Sequence, residues 1–483
     1  MSNFNNIEMR KYLYTMALAI AALGSCKKSD LNLYPYNQVE TTQAFNTEGD
    51  VTLAVNGMYY GIRASGSYYN GTWNIVADVL ADNLISSPAG RGTLLSYSRW
   101  LLSPTSTYGL FSGGYTIVRR ANAIVENIDR FPAGAFHDNA KGEALALRAM
   151  TYFDMCRVYS KTYLNASATD FTLPYVTTTD AKNMPASESV KGFYDKVIAD
   201  LNAALPLINA NNGVGRLNKA AVAGLLSRVN LYKGDWTATI TAANTALGSA
   251  PSLPSIANFP LIWTDQSSDG VLFKVINNAV DNINTQGVNY YQTQNGEIKS
   301  EYVVEYNFKQ LFAANDVRTS TYIKTSALSG SLYNNVVKYA GGTGKPAGVQ
   351  DAKVLRTAEV LLNRMEAYYR SGNEPAALAD LNLLKRNRYT GFSDISLTGT
   401  ALLNEILKER RLELAFEGDR FWDLKRRAQP VLRDGTKGEK ADGTGTPYFS
   451  TTLTLPVDDH RFQLPYPVAE TNFNTAIKQN PGY

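Results

Sequence analysis

The chain of 483 residues carries 47 Lys and Arg against 43 Asp and Glu, a net charge of +4, and is 44% hydrophobic and 19% charged. Such proportions exclude wholesale disorder and leave no electrostatic case for a nucleic-acid partner, while the length allows two to four ordinary domains or one large repeat-built one. Two histidines (His137, His460) and two cysteines (Cys26, Cys156) give triads and zinc sites almost no raw material, so no metal and no cofactor are expected; 30 tyrosines point instead to many rings that meet water or a polar ligand at one edge.

Met9-Arg10-Lys11 opens a basic start, Leu13 to Leu23 is an apolar run, and Leu23-Gly24-Ser25-Cys26 closes it with small residues, which is the layout of a secretory leader over 1–25. Met9 is better placed than Met1 as its start. The run is about half the ~20 apolar residues that span a bilayer, so no transmembrane helix is expected. The Leu-Gly-Ser-Cys ending resembles a bacterial lipoprotein signal, in which the cysteine is acylated; the alternative is a plain secretory leader with an incidental Cys26. Residues 26–40 read as a tether, and 41–483 as a single domain. Cys156 lies on the apolar stripe Leu145, Ala149, Tyr152, Cys156, Tyr159, so it reads as a buried small hydrophobe and not as a nucleophile.

Helical patterning begins near Thr42 and recurs at Val51 to Ile62, Gly114 to Asp129 and Gly142 to Tyr159. A connector from Tyr163 to Ser187 follows, broken by Pro174 and Pro185, before helix returns at Val190 to Leu205. Arg148 and Tyr152, Arg228 and Tyr232, and Arg364 and Tyr368 share one spacing. After the last two, Gly234 then Ala238, and Gly372 then Ala376, each open a second helix beyond a glycine break. Helix, glycine turn, helix with a small residue at the crossing is how a tetratricopeptide-type hairpin packs, so an all-α helical-repeat scaffold is expected. The stretch 251–350 interrupts it: rich in Asn, Gly, Ser, Thr and Tyr, it predicts a strand at Gly270 to Ile276 and others near Tyr302 to Tyr306 and Val336 to Tyr339, and forms an irregular, loop-rich lobe. Helix resumes at Lys353 to Arg370, Pro375 to Arg388 and Leu402 to about Arg427.

Glu405, Glu409, Glu413 and Glu417 recur every four residues along the last of these helices, which stacks four carboxylates on one face. Lys408, Arg410, Arg411 and Arg420 fall three residues from one or another of them. An ion-pair network is therefore preferred over a glycosidase carboxylate pair or a cation site, because catalytic carboxylates converge across a cleft from separate elements. Trp422 is placed in the core.

Aromatic and amide residues interleave at Tyr59-Tyr60, Tyr68-Tyr69-Asn70, Trp73-Asn74, Asp82-Asn83, Arg91, Tyr97 and Trp100, and again at Asn289 to Asn295. Flat rings among short amides and a guanidinium suit a sugar, whose C–H faces stack while its hydroxyls need polar partners. The candidate ligand contacts are Trp73, Asn74, Asn83, Arg91, Trp100, Tyr290, Tyr291 and Asn295, against core packing or loop capping as the alternative. No phosphate loop, dinucleotide fingerprint or nucleophile elbow is present, and no catalytic residue is assigned.

The run Glu409-Arg410-Arg411-Leu412-Glu413-Leu414-Ala415-Phe416-Glu417-Gly418-Asp419-Arg420-Phe421-Trp422-Asp423-Leu424-Lys425-Arg426 resembles the most characteristic motif of the RagB/SusD family of nutrient-binding outer-membrane lipoproteins. The resemblance extends to Val354-Leu355-Arg356 with Glu366-Ala367, Leu381-Asn382 with Arg386-Asn387-Arg388, Arg120-Ala121-Asn122, Gly142-Glu143-Ala144 with Leu147-Arg148-Ala149, Asn315-Asp316-Val317-Arg318, and the closing Gln479-Asn480-Pro481-Gly482-Tyr483. Tyr159-Ser160-Lys161 departs from it, where relatives continue with glycine and a hydrophobic turn. The resemblance implies a right-handed scaffold of four tetratricopeptide-like hairpins under an irregular ligand lobe. It also implies lipid anchoring through Cys26 on the outer membrane, facing the exterior, and delivery of oligosaccharide, or in some branches peptide, to a TonB-dependent transporter of the SusC type. These motifs are framework and carry no binding residues over. A pure protein-interaction scaffold and an enzyme are the competing classes; the aromatic-rich insertion argues against the first and the lack of a convergent acid/base pair against the second.

Overall fold

The computed structural model describes residues 44–180, 182–280, 285–448 and 452–483. The expected leader (1–25), the lipidation site Cys26 and the tether (26–40) lie outside the described residues. Among the described residues no helix is long and apolar enough to cross a membrane. Residues 44–51 form a turn and helix start in which the Asp50 carboxylate accepts from the backbone N–H of Thr47 at 2.8 Å and of Asn46 at 3.1 Å. Thr52–Tyr483 form one unit, which holds the scaffold and the lobe.

The helices used below are α1 (Glu48–Ala64), α2 (Trp73–Leu80), α3 (Leu110–Asn127), α4 (Ala135–Tyr159), α5 (Val190–Leu207), α6 (Lys219–Lys233), α7 (Trp236–Leu247), α8 (Thr357–Arg370), α9 (Glu374–Arg386), α10 (Gly399–Glu413) and α11 (Arg420–Arg426). From α4 to α9 each packs on its predecessor, and α8 continues on α7 although the whole irregular segment lies between them. This is a tetratricopeptide-like helical fold. Its hairpins close as the glycines require. Gly234 (φ +78°) and Gly372 (φ +84°) take the left-handed conformation that ends a helix, and the next residues, Asp235 and Asn373, cap α7 and α9 by accepting from Ala238 and Ala376 N–H. The repeated arginines lock the pairs. Arg148 of α4 reaches Asp200 of α5 at 2.7 and 2.8 Å, and Arg364 of α8 reaches Asp380 of α9 at 2.9 and 2.7 Å. Arg228 breaks the pattern and crosses instead to Glu359 on α8.

The lobe holds most of the strands. β1 (Leu84–Ser86), β5 (Tyr302–Val304), β7 (Ser331–Val336) and β6 (Ile323–Leu328) form an antiparallel sheet in the order β1-β5-β7-β6, β2 (Val271–Val275) pairs with β8 (Ala352–Arg356), and β3 (Gln292–Gln294) with β4 (Glu297–Lys299). Three expectations change. The predicted strand near Val336 ends there and lies before it. Lys353 to Arg356 is strand and not helix: all of β8 is buried against β2, and Thr357 begins the helix. The long helix from Leu402 breaks between Glu413 and Arg420, where Phe416 (φ +66°) and Gly418 (φ +79°) turn left-handed; a Cβ on Gly418 would come within 2.7 Å of the Trp73 carbonyl oxygen. Every residue of helix α2 is buried, its polar face of Asn74 and Asp78 included.

The stacked carboxylates do form an ion-pair network, with partners drawn from other segments. Glu409 takes Arg318 at 2.7 Å and Lys385 at 3.0 Å; Glu413 takes both Arg388 nitrogens at 2.8 and 2.9 Å and Arg356 at 2.8 Å; Glu417 takes Lys338 at 2.7 Å and Arg356 at 2.6 and 2.9 Å. Of the local cations only Lys408 reaches the ladder, at 3.4 Å to Glu405; Arg410 turns to Asp423, and Arg411 and Arg420 to Asp82. Glu409 and Glu413 are fully buried. Burial raises their carboxyl pKa values, but the guanidinium and ammonium groups around them outweigh it and hold both below the ordinary 4.5. Because the folded values are depressed, the stability they supply is complete above about pH 4.5 and is lost as pH falls through the folded values. Thermal melts should therefore steepen in their decline below about pH 4.5. Glu413→Gln, which removes the charge at every pH, should cost ~3–5 kcal/mol at neutral pH and flatten that decline, whereas Lys408→Ala should stay within ~0.5 kcal/mol.

Candidate ligand-binding face

Beyond β1 the chain turns through residues 87–93, and this loop is fastened to the start of β5. Ser87 N–H donates to the Glu301 carbonyl at 2.8 Å, and the Glu301 carboxylate receives Arg91 at 2.8 and 3.0 Å and the Thr93 N–H at 2.9 Å. Tyr302 donates its hydroxyl to the Thr93 carbonyl at 2.7 Å. Glu301 is buried while the Arg91 side chain is 59% exposed, so a surface guanidinium stands on a buried carboxylate. On the other side Glu301 N–H donates to the Asn289 carbonyl at 3.0 Å, which brings in the segment carrying Tyr291 and the β3–β4 hairpin. Asn295 (φ +52°) and Gly296 (φ +81°) make the two-residue turn of that hairpin.

Arg91, half-buried Tyr291 and exposed Asn295 are thus the candidates left on the surface of the lobe. The other five are corrected by their burial. Trp73 is 1% exposed, packed on Tyr68, Tyr69 and Trp422 with the Arg157 guanidinium over its ring. Trp100 donates to the Leu80 carbonyl at 2.9 Å under the Arg433 guanidinium. Asn74 donates to the Tyr69 carbonyl, and Asn83 bridges Asp78 at 2.6 Å and Arg411 at 2.8 Å. Tyr290 stacks on Tyr339 and donates its hydroxyl to the Asn74 carbonyl at 3.2 Å. A ring or amide buried on all sides presents no surface to a sugar. Asp78, beside Asn83, is pushed up to about 7 by burial, and the Cys156 thiol up to about 11 for the same reason, which leaves that thiol protonated and inert at neutral pH.

Comparison with known proteins fits this frame. Residues 278–483 match the model of the SusD family, and residues 31–231 match a model described as starch-binding associating with outer membrane. The chain belongs to the SusD family. It is similar to SusD-like protein P2 of Formosa agariphila, with 25% identity over 98% of this chain and 100% of that one. Among solved structures it is similar to a SusD superfamily protein of Bacteroides vulgatus (TM-score 0.79, 25% identity, 91% of this chain and all of that one) and to surface glycan-binding protein A of Bacteroides fluxus (TM-score 0.72, 22% identity, 90% and all).

On this SusD-family chain, among the described residues, the roomier clefts named here are not lined by the eight candidates. Trp73 borders a void of about 20 Å³, room for no more than a water. A cleft of about 290 Å³ is lined by Tyr59, Tyr60, Arg63, Arg216 and Phe273, with Tyr60 48% exposed between the Arg63 and Arg120 guanidiniums. The adjacent pair Tyr59-Tyr60 was its only sequence signal, since Arg216 and Phe273 arrive from distant segments. Trp73→Ala and Trp100→Ala should each destabilise the fold by ~3–5 kcal/mol in thermal or urea unfolding, the signature of core truncation.

Proposed function

We propose that the protein is a cell-surface glycan binder, holding an oligosaccharide without chemical change on the face made by Arg91, Tyr291 and Asn295. The observation that carries this reading is the Glu301 clamp: it fixes an exposed guanidinium and an aromatic-amide hairpin on one rigid support, which is the arrangement a sugar's hydroxyls and C–H face need. The relative titled surface glycan-binding protein and the family model described as starch-binding both support it. The Tyr60 cleft, with its half-exposed ring between guanidiniums, favours a second subsite of the same chemistry.

The finer parts of the proposal are the anchor and the partner. Cys26 carries lipid that holds the domain at the outer membrane through the 26–40 tether, facing outward, and a TonB-dependent SusC-like transporter receives the captured ligand. A tethered partner is present at an effective concentration near millimolar, so even a weak interface would persist.

Isothermal titration with a panel of oligosaccharides tests the ligand. Tyr291→Ala should weaken binding about thirtyfold, a loss of ~2 kcal/mol, with the thermal transition little changed, and Arg91→Ala should also weaken it while lowering the thermal transition, because Glu301 is then left buried without its counter-charge. Unaltered affinity in both variants would remove this face from the binding site, and binding of peptide mixtures but no glycan would replace the ligand class. Cys26→Ala should move the protein from the membrane to the soluble fraction; unchanged fractionation would contradict the anchor.

A further inference from the structure

Five lysines are buried among the described residues. Lys274 pairs with Asp351 at 2.9 Å, Lys338 with Glu417 at 2.7 Å, Lys353 with Asp265 at 2.6 Å and Lys385 with Glu409 at 3.0 Å. Lys425, 8% exposed, differs: its ammonium donates to the Arg157 carbonyl at 2.8 Å and, among the described residues, pairs with no carboxylate. An ammonium has three N–H donors, and a buried cation without counter-charge is costly, so burial pushes this group down to about 7.

Lys425 borders the largest of the clefts described above and here, about 510 Å³, between the end of α11, the segment after α4 and the C-terminal segment. That volume lies in the range of small-molecule sites. Two further polar groups line it without hydrogen bonds from their side-chain amides among the described residues: Gln463, itself 8% exposed, and Asn165. The Phe462 ring forms part of the wall. An unsatisfied cation, unused amides and a ring therefore converge on one space.

We propose that this cleft is a second ligand site, separate from the lobe face, that takes a small monocarboxylate bearing hydroxyl groups, with its acid group completing the Lys425 ammonium. Burial without a carboxylate partner makes Lys425 the group that calls for an anion, and the solvent-exposed Asp458 favours one negative charge over two. Asp459 on the rim is already matched by Arg461 at 2.7 and 2.8 Å, and Lys161 by Asp170 at 2.7 Å, which leaves Lys425 to be matched and the exposed Asp458 to oppose a dianion such as phosphate. The two amides supply partners for hydroxyls.

Glucuronate is a suitable probe and glucose its uncharged control, titrated into the full soluble domain. Glucuronate should bind at least about tenfold more tightly than glucose. Lys425→Met, which keeps the length of the side chain, should erase that preference, and Val457→Glu, a half-exposed wall position, should weaken glucuronate about tenfold or more without depending on how Lys425 packs. Tyr291→Ala should leave glucuronate binding unchanged. Equal binding of the two sugars, retention of the preference in both cleft variants, or its loss in Tyr291→Ala would each overturn the proposal.

Discussion

Glutamates spaced four residues apart along α10 and into the turn after it can be withdrawn from water only if cations come to them, and in this molecule all but Lys408 come from outside the helix. Arg318 and Lys338 reach in from the irregular lobe, Arg356 from the strand that leads into α8, and Lys385 and Arg388 from α9 and the turn after it. Each is a long-range contact, so α10 closes the chain's distant segments around one charged row. A buried pair of this kind contributes little over a hydrophobic replacement, but losing one partner leaves the other as an uncompensated buried charge. The row therefore acts as a registry device: it tolerates only the arrangement in which all its partners have arrived.

The lobe inherits its rigidity from that row. Arg318 opens the helix that leads into β6, β6 pairs with β7, and β7 meets β5 at Val303 and Asn335. β5 in turn carries Glu301 beside it and pairs with β1, whose following loop presents Arg91. Tyr339 and Tyr322 add hydroxyl bonds to the Phe416 and Glu413 carbonyls at the break after α10. The surface arginine is thus connected through a short sheet to the carboxylates of the scaffold, and a face held in this way loses little entropy when a ligand arrives.

Much of the scaffold was legible in the sequence because its signals are local. Glycine followed by an Asx residue and then alanine marks a helix end and the next helix start within five positions, and the ladder's four-residue period is visible by inspection. Its partners were not legible: spacing pointed to Lys408, Arg410, Arg411 and Arg420, yet three of those four serve Asp82 or Asp423, since a buried carboxylate is matched by whatever the tertiary fold brings and not by its nearest neighbour in sequence. β8 was misread as helix because a wholly buried strand has no alternation to show. The candidate site suffered most. A ring flanked by amides has the same composition whether it faces a sugar or fills a core, and Trp73 and Trp100 fill the core; Asn295 owes its residue type to the hairpin turn. Lys425 stood within the family motif with nothing in its sequence neighbourhood to reveal that, among the described residues, it is the one buried lysine without a carboxylate.

Native-state hydrogen exchange on Arg318→Met tests most directly whether the carboxylate row holds the lobe to the scaffold. Amide protection should fall first in the β5, β6 and β7 strands and in the segment 288–302, while α6 and α7 keep theirs. Uniform loss across both regions, or unchanged protection in the strands, would contradict it.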